Sequence, residues 1–149
     1  MLHRKVVKLL LVSAFTAMWM TGIQLGSTSG PAELNAAPLP ENGVIVYQFH
    51  RRFRCDACHD LEEAINEALK THFSKELESG TLVFEVIDLD AEGNERYSET
   101  FDFFYNTVIM VDREGGKQAR FKNLEEVWDL TEDKDAAMEF IRKHIAEYL

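Results

Sequence analysis

Proline is almost missing from this sequence. Pro31, Pro38 and Pro40 are all it has, and none occurs from residue 43 to 149. That stretch cannot build a turn that depends on proline. Cysteine is equally scarce. Cys55 and Cys58 are the only two, which excludes a disulfide-stapled scaffold and a four-cysteine zinc site. Within the chain they can pair only with each other. Basic side chains are few: 16 Lys and Arg face 26 Asp and Glu, for a net charge of -10. The first thirty residues contain Arg4, Lys5 and Lys8 and no acid, so the remainder is more acidic still. Such a body repels nucleic acid and anionic lipid, and both are set aside as partners. Long apolar runs are absent except for one, at residues 9–25. With 46% hydrophobic and 28% charged residues, the 149 residues suffice for one folded domain with a single core.

The apolar run follows a basic start, "MLHRKVVK", and precedes the small residues "GSTSG". Residues 1–29 therefore read as a signal peptide. The alternative is a retained membrane anchor, since the run reaches the lower edge of spanning length. Either way the expected location is exported and extracytoplasmic, periplasmic in a bacterium, with the anchor as the only membrane contact. Residues 30–42 read as a proline-containing linker, and residues 43–149 as the folded domain.

Within the domain, "GVIVYQFH" (43–50) is rich in β-branched and aromatic residues and predicts a buried strand. Leu61, Ala64, Ile65, Ala68, Leu69, Phe73 and Leu77 then recur at helical spacing, and Gly80 stops the pattern. "TLVFEVIDLD" (81–90) predicts a second strand. Tyr97, Phe101, Phe104 and Tyr105 predict a short aromatic-faced helix. "NTVIMVD" (106–112) and "KQARFKN" (117–123), joined by "REGG", predict an antiparallel hairpin. Asn123 and Glu126 have the spacing of a capping box. A last helix runs from about Asp133 to the end, burying Ala137, Ile141, Ile145 and Tyr148. The order is β-α-β-α-β-β-α, an α/β fold whose first two strands are parallel.

"HRRFRCDACHD" (50–60) carries the chemistry. Cys55 falls where a strand gives way to a helix, beside the free N–H groups and partial positive charge of a first turn. This setting favours the thiolate, as does Arg54 with Arg51 and Arg52, while Asp56 opposes it. Cys55 is thus the attacking cysteine. Cys58, one turn on and more shielded, is placed to resolve a mixed disulfide. The expected group is a redox-active Cys55–Cys58 disulfide with no further cofactor. His59 is expected as an exposed first-turn residue that tunes Cys58.

A strand, C-x-x-C at a helix start, a parallel strand, a helix, a hairpin and a last helix together resemble the thioredoxin-like fold. The resemblance implies a central four-stranded mixed sheet flanked by helices. More narrowly, "VYQFHRRFRCDACHDLEE" with "FKNLEEVWDL" resembles small exported thioredoxin-like proteins, the nitrophenyl-compound nitroreductase subunit ArsF family. That resemblance implies an electron-supplying subunit. Its partner would be another exported thiol or disulfide protein, or a membrane electron donor. Thioredoxins carry a cis-proline before the third strand, and Thr107 stands at that position here. A cis bond before threonine costs roughly 3 kcal/mol, so a trans peptide is expected. Thioredoxins also use a buried acid near the second cysteine. Glu85, Asp88 and Asp90 are the available acids, and none is marked out.

Two alternatives use the same residues. Cys55, Cys58 and His59, with His50 or His72, offer thiolates and imidazole to zinc or copper(I), and so make a metal carrier. His72 lies on the apolar stripe, where packing is its simpler role. C-x-x-C-H is also the c-type haem attachment string, with His59 as axial ligand and Met110, Met138 or His144 as the second. Strong strands on both sides of the motif argue against haem.

Overall fold

The structure, a computed structural model, describes residues 38–149. The expected signal or anchor (1–29) and most of the expected linker lie outside the described residues. Strands β1 (Gly43–His50), β2 (Leu82–Asp88), β3 (Thr107–Glu114) and β4 (Lys117–Asn123) form one sheet in the order β2-β1-β3-β4. Helices α1 (Asp56–His72), α2 (Ser74–Ser79), α3 (Glu95–Phe101) and α4 (Lys134–Ala146) connect or follow them, and a 3-10 helix spans Glu125–Leu130. β1 and β2 are parallel, with Val44 opposite Leu82 and His50 opposite Asp88. β3 runs antiparallel to β1 and to β4. This mixed α/β sheet is the thioredoxin-like arrangement expected from the element order.

β1 is central and buried on both faces, so its alternate residues serve two cores. Val44 and Val46 pack with Leu61, Ile65, Leu69, Val108, Met110, Ile141 and Ile145, joining the sheet to α1 and α4. Ile45, Tyr47 and Phe49 pack with Phe101, Phe103, Ile109 and Val111 on the α3 side. Gly43 starts β1 at φ 142°, and a Cβ there would meet the Thr81 carbonyl oxygen at 2.1 Å. Only glycine allows β1 to begin so close to the chain entering β2.

Several expectations are corrected. The single long helix divides at Phe73, which leaves helical geometry (φ -132°, ψ 29°) while its ring stays buried in the core. Leu77 therefore belongs to α2. His72 is exposed, not packed, because the end of α1 turns it outward. The Asn123 capping box does not form. Leu124 occupies the N-cap position without a side-chain bond, and the Asn123 side chain is engaged by Thr107 Oγ1 and donates to Glu125 Oε1 at 2.7 Å. The folded unit also reaches further back than residue 43. Pro40 is buried and its carbonyl accepts from Arg113 Nε at 2.8 Å. Glu41 and Asn42 bond to Gly116 and Gly115 in the β3–β4 turn. One proline thus belongs to the fold. At the last helix the expected start holds, with Asp133 capping α4 by accepting from Ala136 N–H at 3.0 Å, but the helix ends at Ala146 and Tyr148 lies beyond it, half-buried. Among the described residues no helix is long and apolar enough to cross a membrane.

Candidate functional site

The C-terminal end of β1, the start of α1 and the loop before β3 meet at one place. Cys55 is the N-cap residue of α1, in extended geometry (φ -84°, ψ 167°), and its side chain makes no capping bond. Its carbonyl accepts from Cys58 N–H at 3.0 Å, so the helix begins at once and carries Cys58 round one turn. Both cysteines are free thiols, with Cys55 exposed and Cys58 fully buried. Their sulfurs stand 2.9 Å apart.

The two thiols shift in opposite directions. The neighbouring Cys58 thiol, and then the Cys58 backbone N–H, hold the Cys55 thiol below its ordinary range, with the Ala57 N–H adding to the effect. A thiolate at position 55 is thus met by a donor sulfur and by the open N–H groups of a first turn. Burial first, and then the adjacent Cys55 thiol, push Cys58 up, while the Asn106 amide opposes the rise. The exposed sulfur is the ready nucleophile and the buried one is held as a thiol.

The arginines have other acceptors. Arg51 pairs with Asp90 at 2.9 Å, and Arg52 N–H donates to the same carboxylate at 2.9 Å. These bonds hold Asp90 below the usual carboxylate range, the Arg52 N–H first. Arg54, placed by the sequence beside the Cys55 thiolate, directs its guanidinium to Glu62 and, at 3.3 Å, to the Cys58 carbonyl. The leading causes that lower Cys55 are a sulfur and backbone N–H groups, not these cations. The arginines instead brace the loop that delivers Cys55.

Three contributors had no sequence signal. Gln48, fully buried on β1, donates from Nε2 to the Cys58 carbonyl at 2.9 Å, and its Oε1 has no partner. Asn106 donates from Nδ2 to Cys58 Sγ at 3.5 Å and accepts from Arg51 N–H at 3.2 Å. Asp90 clamps the Arg51–Arg52 segment. Asn106 and Asp90 act on residues some forty to fifty positions away, and Gln48 reaches across from β1 to α1, so no helical or strand spacing reports them. Of the acids weighed as a buried partner for Cys58, Glu85 sits opposite Tyr47 and so faces the α3 side, away from Gln48. Burial raises the Glu85 carboxyl. Asp88 bonds to Asp90 N–H at 2.9 Å, and Asp90 to the arginines. The neutral Asn106 amide is the side chain bonded to the second sulfur from outside its own helix.

Thr107 opens β3 opposite Phe49, preceded by a trans peptide, with its hydroxyl bonded to Asn123. His59 is exposed. His50 Nδ1 lies 2.7 Å from the Arg51 carbonyl. Among the described residues no three His, Cys, Asp or Glu side chains are gathered to hold a metal ion. Of the haem-ligand candidates, Met110 is fully buried in the α1–α4 core, and His144 lies beside Lys122 and Glu147. An open cleft of about 350 Å³ fronts Cys55, lined by Arg51, Phe104, Tyr105, Asn106 and Trp128. The expected aromatic-faced helix is shorter than its pattern: α3 ends at Phe101, Asp102 turns left-handed at φ 51°, and beyond it Phe103 is buried while Phe104 and Tyr105 are 73% and 83% exposed. Phe53, at 92%, adds a third open ring in the loop before Cys55.

Comparison with known proteins gives structural likeness only. A thioredoxin from Fasciola hepatica is similar over 73% of this chain and 84% of its own, with 16% identity and a TM-score of 0.45. Thioredoxin-2, a component of malaria parasite protein secretion machinery, covers 69% of this chain and 84% of its own at 20% identity and 0.43. Thioredoxin O2 from Arabidopsis thaliana, in its oxidized state, covers 64% and 75% at 14% and 0.41. No protein-family model matches the chain, and no curated protein matches it.

Proposed function

We propose that this chain is a thiol–disulfide oxidoreductase working through Cys55 and Cys58. The observation that carries the reading is the pair itself: an exposed, acidified thiol at a helix start, 2.9 Å from a buried thiol shifted the other way. The Cys55 thiolate attacks a partner disulfide and forms a Cys55–partner bond, and one partner sulfur leaves as thiolate. Cys58 then gives its proton to solvent and attacks Cys55 Sγ. The intramolecular disulfide forms, the second partner sulfur departs, and two electrons have passed to the partner. The reverse sequence oxidises a partner dithiol.

Residues 1–29 support the further proposal that the protein acts outside the cytoplasmic membrane. The narrower family resemblance supports a role in passing electrons between a membrane donor or another exported thiol protein and an acceptor. Cell fractionation after expression of the full chain tests the location, and recovery in the cytosol alone would remove the exported partners.

The redox reading is tested by equilibrating the purified protein with a glutathione series and following the two thiols by mass. A reversible two-electron transition is expected, and Cys58→Ser should accumulate mixed disulfides at Cys55. A protein that forms no Cys55–Cys58 disulfide at any poise, or that traps partners equally through Cys58 in Cys55→Ser, would sink the assignment.

A further inference from the structure

Cys58 has to become a thiolate to resolve the intermediate, and burial works against it. Among the described residues no carboxylate bonds to its sulfur, and Glu62 is engaged by Arg54. The groups around it are the Cys55 thiol and the Arg54–Glu62 pair on the α1 side, the neutral Gln48 from β1 and the neutral Asn106 from the loop before β3. Gln48 is spent on the Cys58 carbonyl. Asn106 alone among these residues directs a side-chain N–H at the sulfur.

The orientation of that amide is settled by its other end. Arg51 N–H can only donate, so the Asn106 atom facing it at 3.2 Å is the oxygen. The nitrogen therefore faces Cys58 Sγ. Arg51 is itself tied to Asp90 at 2.9 Å and to the Phe104 carbonyl at 3.3 Å. The loop carrying Asn106 and the loop carrying Cys55 are thus locked together, and the amide cannot turn over without losing the Arg51 bond.

Building on the redox reading, we infer that Asn106 is a catalytic residue of the resolving step, donating its Nδ2–H to the Cys58 sulfur as the thiolate forms. Its hydrogen bond strengthens when the sulfur becomes charged, as bonds to ionised acceptors do. The stabilisation therefore falls on the attacking thiolate more than on the resting thiol. The bond that forms is Cys58–Cys55, the one that breaks is Cys55–partner, and the proton goes to solvent. Asn106 supplies no proton and takes none.

The test uses reduced full-length protein mixed with one equivalent of 5,5′-dithiobis(2-nitrobenzoate) in a stopped-flow instrument. The first thionitrobenzoate reports attack by Cys55, and the second reports resolution by Cys58. Asn106→Ala should slow the second release roughly tenfold, the worth of a hydrogen bond to a charged group, and leave the first within about twofold. Asn106→Asp keeps an oxygen for Arg51 N–H, but removes the donor and adds a charge of the wrong sign. It should slow the second release at least as much as Asn106→Ala, and move its pH midpoint upward.

If Asn106 only braces the loop, Asn106→Ala would give its second release at the parent's rate, or slow both releases alike, and either result overturns the inference. Circular dichroism on each variant shows whether the fold is retained. Should Asn106→Ala be unfolded, Asn106→Asp decides by the same two releases. Failure of the parent protein to give any second release would instead remove the redox reading itself, whatever the variants do.

Discussion

Cys55 and Cys58 share one helical turn, yet their environments push the thiols apart. The adjacent Cys58 thiol and then first-turn N–H groups favour the charged form at position 55, and burial disfavours it at position 58. The sign follows directly. The Cys55 thiolate persists below the ordinary thiol range and is lost only as pH falls through its depressed value. Cys58 stays protonated until pH rises above that range. Iodoacetamide at neutral pH should therefore modify Cys55 alone in the reduced protein. The Cys55 rate should fall as the pH is lowered, and Cys58 should be labelled only in alkali or on unfolding. Peptide mass mapping across a pH series measures both, and early labelling of Cys58 would contradict the burial argument.

At the scale of elements, the short α3 depends on what it covers. Seven residues do not hold a helix in water unaided. Tyr97 and Phe101 lie on the aromatic side of β1, where the Phe49 ring centre is 5.2 Å from Tyr97, 6.3 Å from Phe101 and 4.7 Å from Phe103. Phe49 is fully buried. Phe49→Ala should cost roughly 3–5 kcal/mol in urea unfolding, and should loosen α3 and the loop that carries Asn106. A loss under about 1 kcal/mol would mean that this core is not what seats the loop. The helical stripe that ends in Phe73 and Leu77 was legible as periodicity, but its break was not. A buried ring inside a stripe looks the same whether the backbone continues or turns. Asn123 likewise has the spacing of a cap, and lost that role because Thr107, on the paired strand, claims its oxygen.

For the molecule as a whole, charge and topology separate cleanly. A net charge of -10 predicts no measurable retention of duplex DNA at about 0.15 M salt, and a gel-shift titration checks it. Strand order brings the end of β1 beside the start of β3, with Phe49 opposite Thr107, and so sets residues 51–58 against residues 104–107. This is why Arg51 reaches Asp90, Phe104 and Asn106 at once. The cleft and its exposed rings are products of that meeting, not of either segment.

The sequence by itself determined the four strands, the order in which helices follow them and the dithiol at a helix start, because those signals are local: periodicity, turn residues and a two-residue spacing. It could not determine which neutral amide would face the second sulfur, where the arginine charges would be spent, or that Pro40 would join the fold. Apart from the local Arg54–Glu62 pair, those depend on contacts between residues some forty to seventy positions apart. Such contacts exist only once the sheet has closed, and hydrogen bonds between single side chains leave no periodic trace in the chain that makes them.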